Sequence, residues 1–304
     1  MKIGFIGTGV MGSRMAGRLL INGYQLKVYN RTKEKVQALV EKGAEHAETI
    51  ASLAGECDII CTCLSMPGDV EEVYLGGPGI VKHARPGLIC IDFTTVGADT
   101  SKAVFEKAAG RGINYLDAPV SGGPEGAENG TLTIMVGGER KAFETVSSVL
   151  EALGATIEYL GPSGSGSIAK LINQYLVAVH SLAASEAMVT GAAFGLDSEK
   201  LLNILKVSYG DSRMLRRHME EYVLDRQFAP GGAVKYVLKD VRLANQLLEQ
   251  AGLNEFTGQM AEHAFETAAA KGLNDHDMSA VIQPIEEKCG VEVMRQGDES
   301  RVSS

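Results

Sequence analysis

The stretch Lys2-Ile3-Gly4-Phe5-Ile6-Gly7-Thr8-Gly9-Val10-Met11-Gly12 decides how the rest of the chain is read. An apolar, strand-like run ends in G-x-G-x-x-G, and helical spacing follows over Gly12–Asn22. Strand, glycine loop and helix in that order form the opening of a dinucleotide-binding βαβ unit. Gly7 permits the sharp turn, Gly9 puts no Cβ in the way of a pyrophosphate, and Gly12 lets helix and strand pack closely. Thr8, Val10 and Met11 complete the loop. The N–H groups at the helix start offer an anion unpaired donors and partial positive charge. The alternative is a tight βα turn that holds no ligand.

Working outward, short β-branched runs alternate with helical patterns up to about residue 160. Strands are expected at Lys2–Ile6, Gln25–Tyr29, Asp58–Cys63, Leu88–Phe93, Asn114–Leu116, Thr131–Val136 and Thr156–Tyr159. That alternation predicts a Rossmann-type, doubly wound, mostly parallel sheet of the α/β class, covered on both faces. Gly161-Pro162-Ser163-Gly164-Ser165-Gly166 then punctuates the chain. Beyond it no strand pattern returns, and one long helix runs from Ser167 to about Phe194, with Ile168, Leu171, Ile172, Tyr175, Leu176, Val179 and Leu182 at helical spacing. The expected organisation is a dinucleotide-binding domain over 1–162 and an all-α substrate and oligomerisation domain over 163–293. The long interdomain helix joins them, and a polar tail follows over 294–304.

Composition narrows the function classes. The 304 residues carry 29 Lys plus Arg against 38 Asp plus Glu, a net charge of −9, which argues against a nucleic-acid partner. No run of eighteen apolar residues exists, so no membrane partner is expected, and Gly4, Gly7, Gly9 and Gly12 break up any signal-peptide core at the start. The five cysteines include no C-x-x-C, and the six histidines no H-E-x-x-H, so no metal site is expected. Buried free thiols in a reducing, cytoplasmic compartment are the simplest account of the cysteines.

The end of the second strand bears on the cofactor. Sites that prefer NAD carry Asp or Glu about 20 residues beyond the loop, bonded to the ribose 2′-OH. Here the residues are Asn30-Arg31-Thr32. Arg31 can clamp a 2′-phosphate bidentately while Asn30 and Thr32 donate hydrogen bonds, which favours NADP(H). If Arg31 only stacks on adenine, both cofactors bind.

Two further segments stand out. Asp117-Ala118-Pro119-Val120-Ser121-Gly122-Gly123 follows a strand, and its small residues expose N–H groups suited to a carboxylate; a plain Gly-rich connection is the other reading. In Gly164–Asn173, Lys170 and Asn173 share a helical face at i and i+3, with Gln174 at i+4. A lysine among Ile168, Ala169, Leu171 and Ile172 is either partly desolvated, with a pKa drawn toward acid–base range, or a snorkelling surface residue.

Taken in order, the glycine loop, Asp117–Gly123, Gly164–Asn173 and Lys239-Asp240 resemble the motifs of the β-hydroxyacid dehydrogenase family. That family includes 3-hydroxyisobutyrate dehydrogenase, tartronate semialdehyde reductase and glyoxylate/succinic semialdehyde reductases. The resemblance covers about residues 1–293. It implies that Lys170 is the catalytic lysine, proton donor to the carbonyl oxygen, and that Asn173 hydrogen-bonds substrate. It further implies that Ser121, Gly122 and Gly123 grip the substrate carboxylate. Leu64, Ser65, Asp69 and Thr95 fall where the family contacts the nicotinamide half of the cofactor, and Lys239 where a second lysine closes on the site. Three departures are visible: Gln174 replaces a second Asn, Thr94 replaces Ser, and Leu64-Ser65 replaces Leu-Pro.

The expected activity is hydride transfer between a nicotinamide and a small 3-hydroxy acid or semialdehyde, with NADPH-dependent semialdehyde or glyoxylate reduction favoured. The substrate is a small carboxylate and the assembly a homodimer or homotetramer. Arg213 is a candidate for a second anionic group on the substrate, or else part of a solvated basic face with Arg216 and Arg217. An imine reductase or a decarboxylating phosphogluconate-type enzyme on the same fold is an alternative, although imine reduction does not generally retain the Lys170 position. Ser167-Ile168-Ala169-Lys170 also matches S-x-x-K, but without S-D-N or K-T-G companions. A catalytically silent binding protein on this fold is a further alternative.

Overall fold

The structure is a computed structural model that describes residues 1–295. It divides into two compact units, Met1–Leu171 and a second beginning at Ile172. The division therefore falls inside the long helix, Ser165–Ala193, nine residues beyond the expected 162/163 boundary. The reason is local: the first turn of that helix is bonded to the end of a strand in the first unit, as described below.

The first unit is one sheet with strand order β3-β2-β1-β4-β5-β6-β8-β7 and β9 beside β8. The strands are β1 (Lys2–Ile6), β2 (Gln25–Tyr29), β3 (Glu45–His46), β4 (Ile59–Thr62), β5 (Ile89–Asp92), β6 (Asn114–Asp117), β7 (Val120–Ser121), β8 (Leu132–Gly138) and β9 (Gly154–Gly161). From β3 to β6 every pairing is parallel. Neighbouring residues of one strand enter opposite cores. Ile59 and Cys61 pack with Ile3, Phe5, Ile89 and Ile91 on one face, while Ile60 packs with Cys90 and Tyr115 on the other. This two-sided burial explains why the strands read as continuous apolar runs.

The sheet turns antiparallel at β8. Asp117 faces Gly137 and Val120 faces Ile134, so β6 and β7 follow one line along the same edge of β8. The break between them holds Pro119, which lacks an N–H but whose carbonyl accepts from the Met135 N–H at 3.1 Å. The short elements β3, β7 and the helix Gly123–Asn129 span two to seven residues, too few for a period to register in sequence.

In the second unit, the helices Ser198–Leu205, Arg213–His218, Val234–Gln250, Thr257–Ala270 and Gln283–Cys289 surround two apolar cores, one around Phe265 and Val241 and the other around Met188 and Met219. The long helix ends where Gly195 takes φ +80°. Leu196 N–H reaches Gly191 C=O at 3.0 Å and Gly195 N–H reaches Ala192 C=O at 2.9 Å, satisfying the last carbonyls. By length and composition this helix alone, among the described residues, is apolar enough to cross a membrane, although polar residues interrupt it before any run of eighteen apolar ones. It buries Lys170, Gln174, Ser181 and Ser185, and an ionisable side chain such as Lys170 is rare within a membrane span. Of the expected tail at 294–304, residues 296–304 lie outside the described residues. Arg295 is fastened to Asp225 at 2.8 Å and to Glu199.

Candidate active site

The glycine loop has the shape its sequence demands. Gly7 sits at φ +92°, and a Cβ there would stand 2.3 Å from the Cys63 carbonyl oxygen. At Gly12 a Cβ would come within 1.9 Å of the Gly7 oxygen, whereas at Gly9 it would meet nothing within 4 Å. Gly9 is thus not required by packing, and the open space above it is where a pyrophosphate fits. Thr8 Oγ1 is buried without a hydrogen-bond partner, a polar group in the cradle suited to a ligand. Thr8 N–H donates to Asn30 Oδ1 at 3.0 Å and Asn30 Nδ2 to the Thr32 carbonyl at 2.9 Å. Asn30 therefore binds the glycine loop to the end of β2. Arg31 projects with 82% of its side chain exposed, its Nη1 3.7 Å from Asp69 Oδ1.

The loops after β4 and β5 are ordered from below by a buried carboxylate. Asp92, 1% exposed, accepts from Thr62 Oγ1 at 2.8 Å, Tyr115 OH at 3.0 Å and Thr94 N–H at 3.1 Å. Thr94 Oγ1 in turn accepts from Leu64 N–H at 2.9 Å, so the Ser-to-Thr departure keeps its hydroxyl at work. Burial pushes the Asp92 carboxyl above its ordinary value, against the pull of these donors. Ser65 is exposed, Thr95 half-buried, and Asp69 Oδ2 accepts from Met66 N–H at 3.1 Å in the first turn of Pro67–Leu75. Asp69, expected on the nicotinamide side, lies beside Arg31, the residue expected at the adenosine ribose.

Asp117 is the hinge of the catalytic segment, a role the sequence left unassigned. Its carboxylate, 1% exposed, accepts from Gly164 N–H at 2.8 Å, Ser167 N–H at 2.9 Å and Ser163 Oγ at 3.4 Å. It thereby supplies acceptors to the free N–H groups at the start of helix Ser165–Ala193. Gly166 is needed there because a Cβ would stand 2.2 Å from the Met135 oxygen. A buried Ser101–Ser167 hydroxyl contact at 2.9 Å adds a second tie. Desolvation raises the Asp117 carboxyl, partly countered by the backbone donors. Lys170 follows one turn later and is only 7% exposed, which settles the choice left open above against a snorkelling surface lysine. Just beyond Asp117 on the strand side, Gly122 takes φ +130° and Gly123 φ +64°. Asp117 is thus joined covalently to the Ser121–Gly123 segment and by hydrogen bonds to the helix that carries Lys170.

Within the second unit a polar chain collects three more of the expected residues. Asn173 Nδ2 donates to Gln174 Oε1 at 2.9 Å, and Gln174 Nε2 to Asp240 Oδ2 at 2.5 Å. Lys239 Nζ lies 2.8 Å from Asp240 Oδ1. The Gln174 departure is therefore the link that reaches Asp240, which the sequence marked only as the neighbour of Lys239. Arg213 is exposed. Arg216 is spent on Asp211 and the Lys206 carbonyl, and Arg217 on Asp277. The three arginines thus form no common basic face. Among the described residues no cluster of His, Cys, Asp or Glu has metal-binding geometry. The five cysteines are free thiols, with Cys57, Cys61 and Cys90 buried.

A doubly wound sheet with a dinucleotide loop, followed by a helical unit and joined by a lysine-bearing helix, defines an NAD(P)-dependent oxidoreductase. Comparison with known proteins agrees. Residues 2–161 match the NAD binding domain of 6-phosphogluconate dehydrogenase, and residues 164–285 the NAD-binding domain of NADP-dependent 3-hydroxyisobutyrate dehydrogenase. The chain is 37% identical to 2-(hydroxymethyl)glutarate dehydrogenase of Eubacterium barkeri, over 96% of this chain and 97% of that one. It is 36% identical to 2-hydroxy-3-oxopropionate reductase of Escherichia coli K12, over 94% and 97% respectively. The crystal structure of 3-hydroxyisobutyrate dehydrogenase from Salmonella typhimurium superposes with a TM-score of 0.85 at 27% identity, covering 93% of this chain and 99% of that one. The chain belongs to the β-hydroxyacid dehydrogenase family of NAD(P)-dependent enzymes.

Proposed function

We propose that the protein is an NADP(H)-dependent reductase of a small carboxylic acid bearing an aldehyde, a semialdehyde or glyoxylate, with Lys170 as the proton donor. The observation that carries this reading is the burial of Lys170 one turn into a helix whose first N–H groups are held by Asp117. An ammonium group fixed in that way is pre-organised for a charge that develops on a carbonyl oxygen. Bound nicotinamide supplies the hydride. Lys170 donates its proton to the substrate oxygen during reduction, and the neutral amine accepts one during oxidation. N–H groups of the Ser121–Gly123 segment hold the carboxylate, and Asn173 donates a further hydrogen bond to substrate. Gly7–Gly12 receives the pyrophosphate, and the exposed Arg31 takes the 2′-phosphate.

The test is NADPH and NADH oxidation with glyoxylate and with succinic, methylmalonate and tartronate semialdehydes, run beside Lys170→Ala. Turnover on at least one aldehyde is expected, faster with NADPH. The variant should lose about 10³-fold in kcat while its NADPH Kd stays within about threefold of the parent. A variant as active as the parent would remove Lys170 from the mechanism.

A further inference from the structure

The chain lacks a carboxylate at the end of β2, where one would receive an unphosphorylated ribose 2′-OH, yet it places one, Asp69, within reach of Arg31 from the helix that follows β4. We infer that Asp69 sets the cofactor preference, as counter-charge to the Arg31 clamp for a 2′-phosphate and as acceptor for the free 2′-OH of NAD(H). The inference rests on the reading of Arg31 given above.

Asp69 is the fixed member of the pair. Its Oδ2 accepts from Met66 N–H at 3.1 Å, and its side chain is 27% exposed against 82% for Arg31. Oδ1, 3.7 Å from the guanidinium, is directed to the same side. Asn30 already spends its Oδ1 on Thr8 N–H and its Nδ2 on the Thr32 carbonyl, and it carries no charge, so Asp69 is the stronger acceptor. Any phosphate clamped by Arg31 lies within one guanidinium span of a fixed negative charge and is repelled by it across solvent. A neutral 2′-OH meets no such repulsion and finds an acceptor. Asp69 thus works against the dianion and for the hydroxyl, so it narrows the advantage that Arg31 confers on NADP(H).

Removing that charge should widen the advantage. Binding of NADP+ and NAD+ is measured by calorimetry on the parent, Asp69→Asn, Asp69→Ser and Arg31→Ala; Asn and Ser both keep an acceptor for the Met66 N–H. In the two Asp69 variants NADP+ should bind about three- to tenfold tighter and NAD+ weaker, so that the ratio of their Kd values moves at least about tenfold. Arg31→Ala should weaken NADP+ by tenfold or more and leave NAD+ nearly unchanged. If Arg31→Ala leaves NADP+ affinity intact, the clamp itself is wrong and this inference falls with it. If Arg31→Ala weakens NADP+ but both Asp69 variants keep the parent ratio within twofold, the role of Asp69 alone is overturned.

Discussion

The two units bury carboxylates in opposite ways. In the first, Asp92 and Asp117 are held by neutral donors, hydroxyls and backbone N–H groups, and burial leaves both carboxyls above their ordinary value. In the second, Asp277 and Glu286 face guanidinium groups. Arg217 meets Asp277 at 2.9 and 2.7 Å, and Arg226 meets Glu286 at 2.7 and 2.9 Å. Burial raises Asp277 too, but Arg217 and the Ser279 and Gly232 N–H groups overcome it, leaving the carboxyl below its usual range. Neutral donors fix the position of a carboxylate with little coupling to charge elsewhere. An ion pair makes each partner depend on the other. The neutral scheme sits where geometry matters to chemistry, under the loops after β5 and β6; the paired scheme fastens helices.

The largest effect should follow from breaking a pair. Arg217→Met leaves Asp277, whose side chain is 0% exposed, charged and without its cation. A loss of about 3 kcal/mol in urea unfolding is expected. Adding Asp277→Asn to that variant should recover part of the loss, because the stranded charge is gone. A double variant no more stable than Arg217→Met would show that the pair matters by shape and not by charge.

Next in size is Asp117→Asn. The amide keeps one acceptor for Gly164 or Ser167 but turns an NH2 toward the other N–H, a cost of about 1–2 kcal/mol. Because the disturbance sits at the first turn below Lys170, kcat should fall well beyond what the lost stability explains, while the Kd for NADPH stays near that of the parent. Equal losses in both would make Asp117 a plain structural cap.

The contrast also explains what could be read from sequence. Gly7, Gly9 and Gly12 announced the first unit because each glycine answers a local backbone demand that leaves a fixed spacing. Lys170 and Asn173 were legible through their spacing on one helix and through the resemblance of their motif. Asp117 was visible as a residue but not as a cap, since its partners lie 47 and 50 positions further on and no local pattern encodes that pairing. The approach of Asp69 to Arg31 gave no signal, because it depends on how the loops after β2 and β4 come together. The Arg217–Asp277 pair, 60 residues apart, gave no signal either, and Arg213, Arg216 and Arg217 read as one basic run although two of them are bound elsewhere.

The most gradual effect, and the one that separates the units most cleanly, is the response to acid. His218 is fully buried, its Nε2 2.9 Å from Ser181 Oγ, and burial followed by the nearby Arg217 charge lowers its pKa. The unfolded chain takes up a proton at this position from about pH 6.5 downward while the folded one does not, so stability falls as pH drops through that window. Asp277, also lowered, holds its contribution above its unfolded value of about 3.9 and loses it only as pH falls further, through its folded value. Asp92 and Asp117 act the other way. Their raised carboxyls protonate in the folded state before the unfolded one, so acid relieves a cost in the first unit. Between pH 6.5 and 5 the helical unit should therefore lose up to about 1.4 kcal/mol per pH unit for the one histidine proton, and amide exchange in peptides over 213–223 should quicken ahead of that in β4 and β5. His218→Gln, which retains a polar contact to Ser181, should flatten this slope. An unchanged slope in that variant would place the acid response elsewhere.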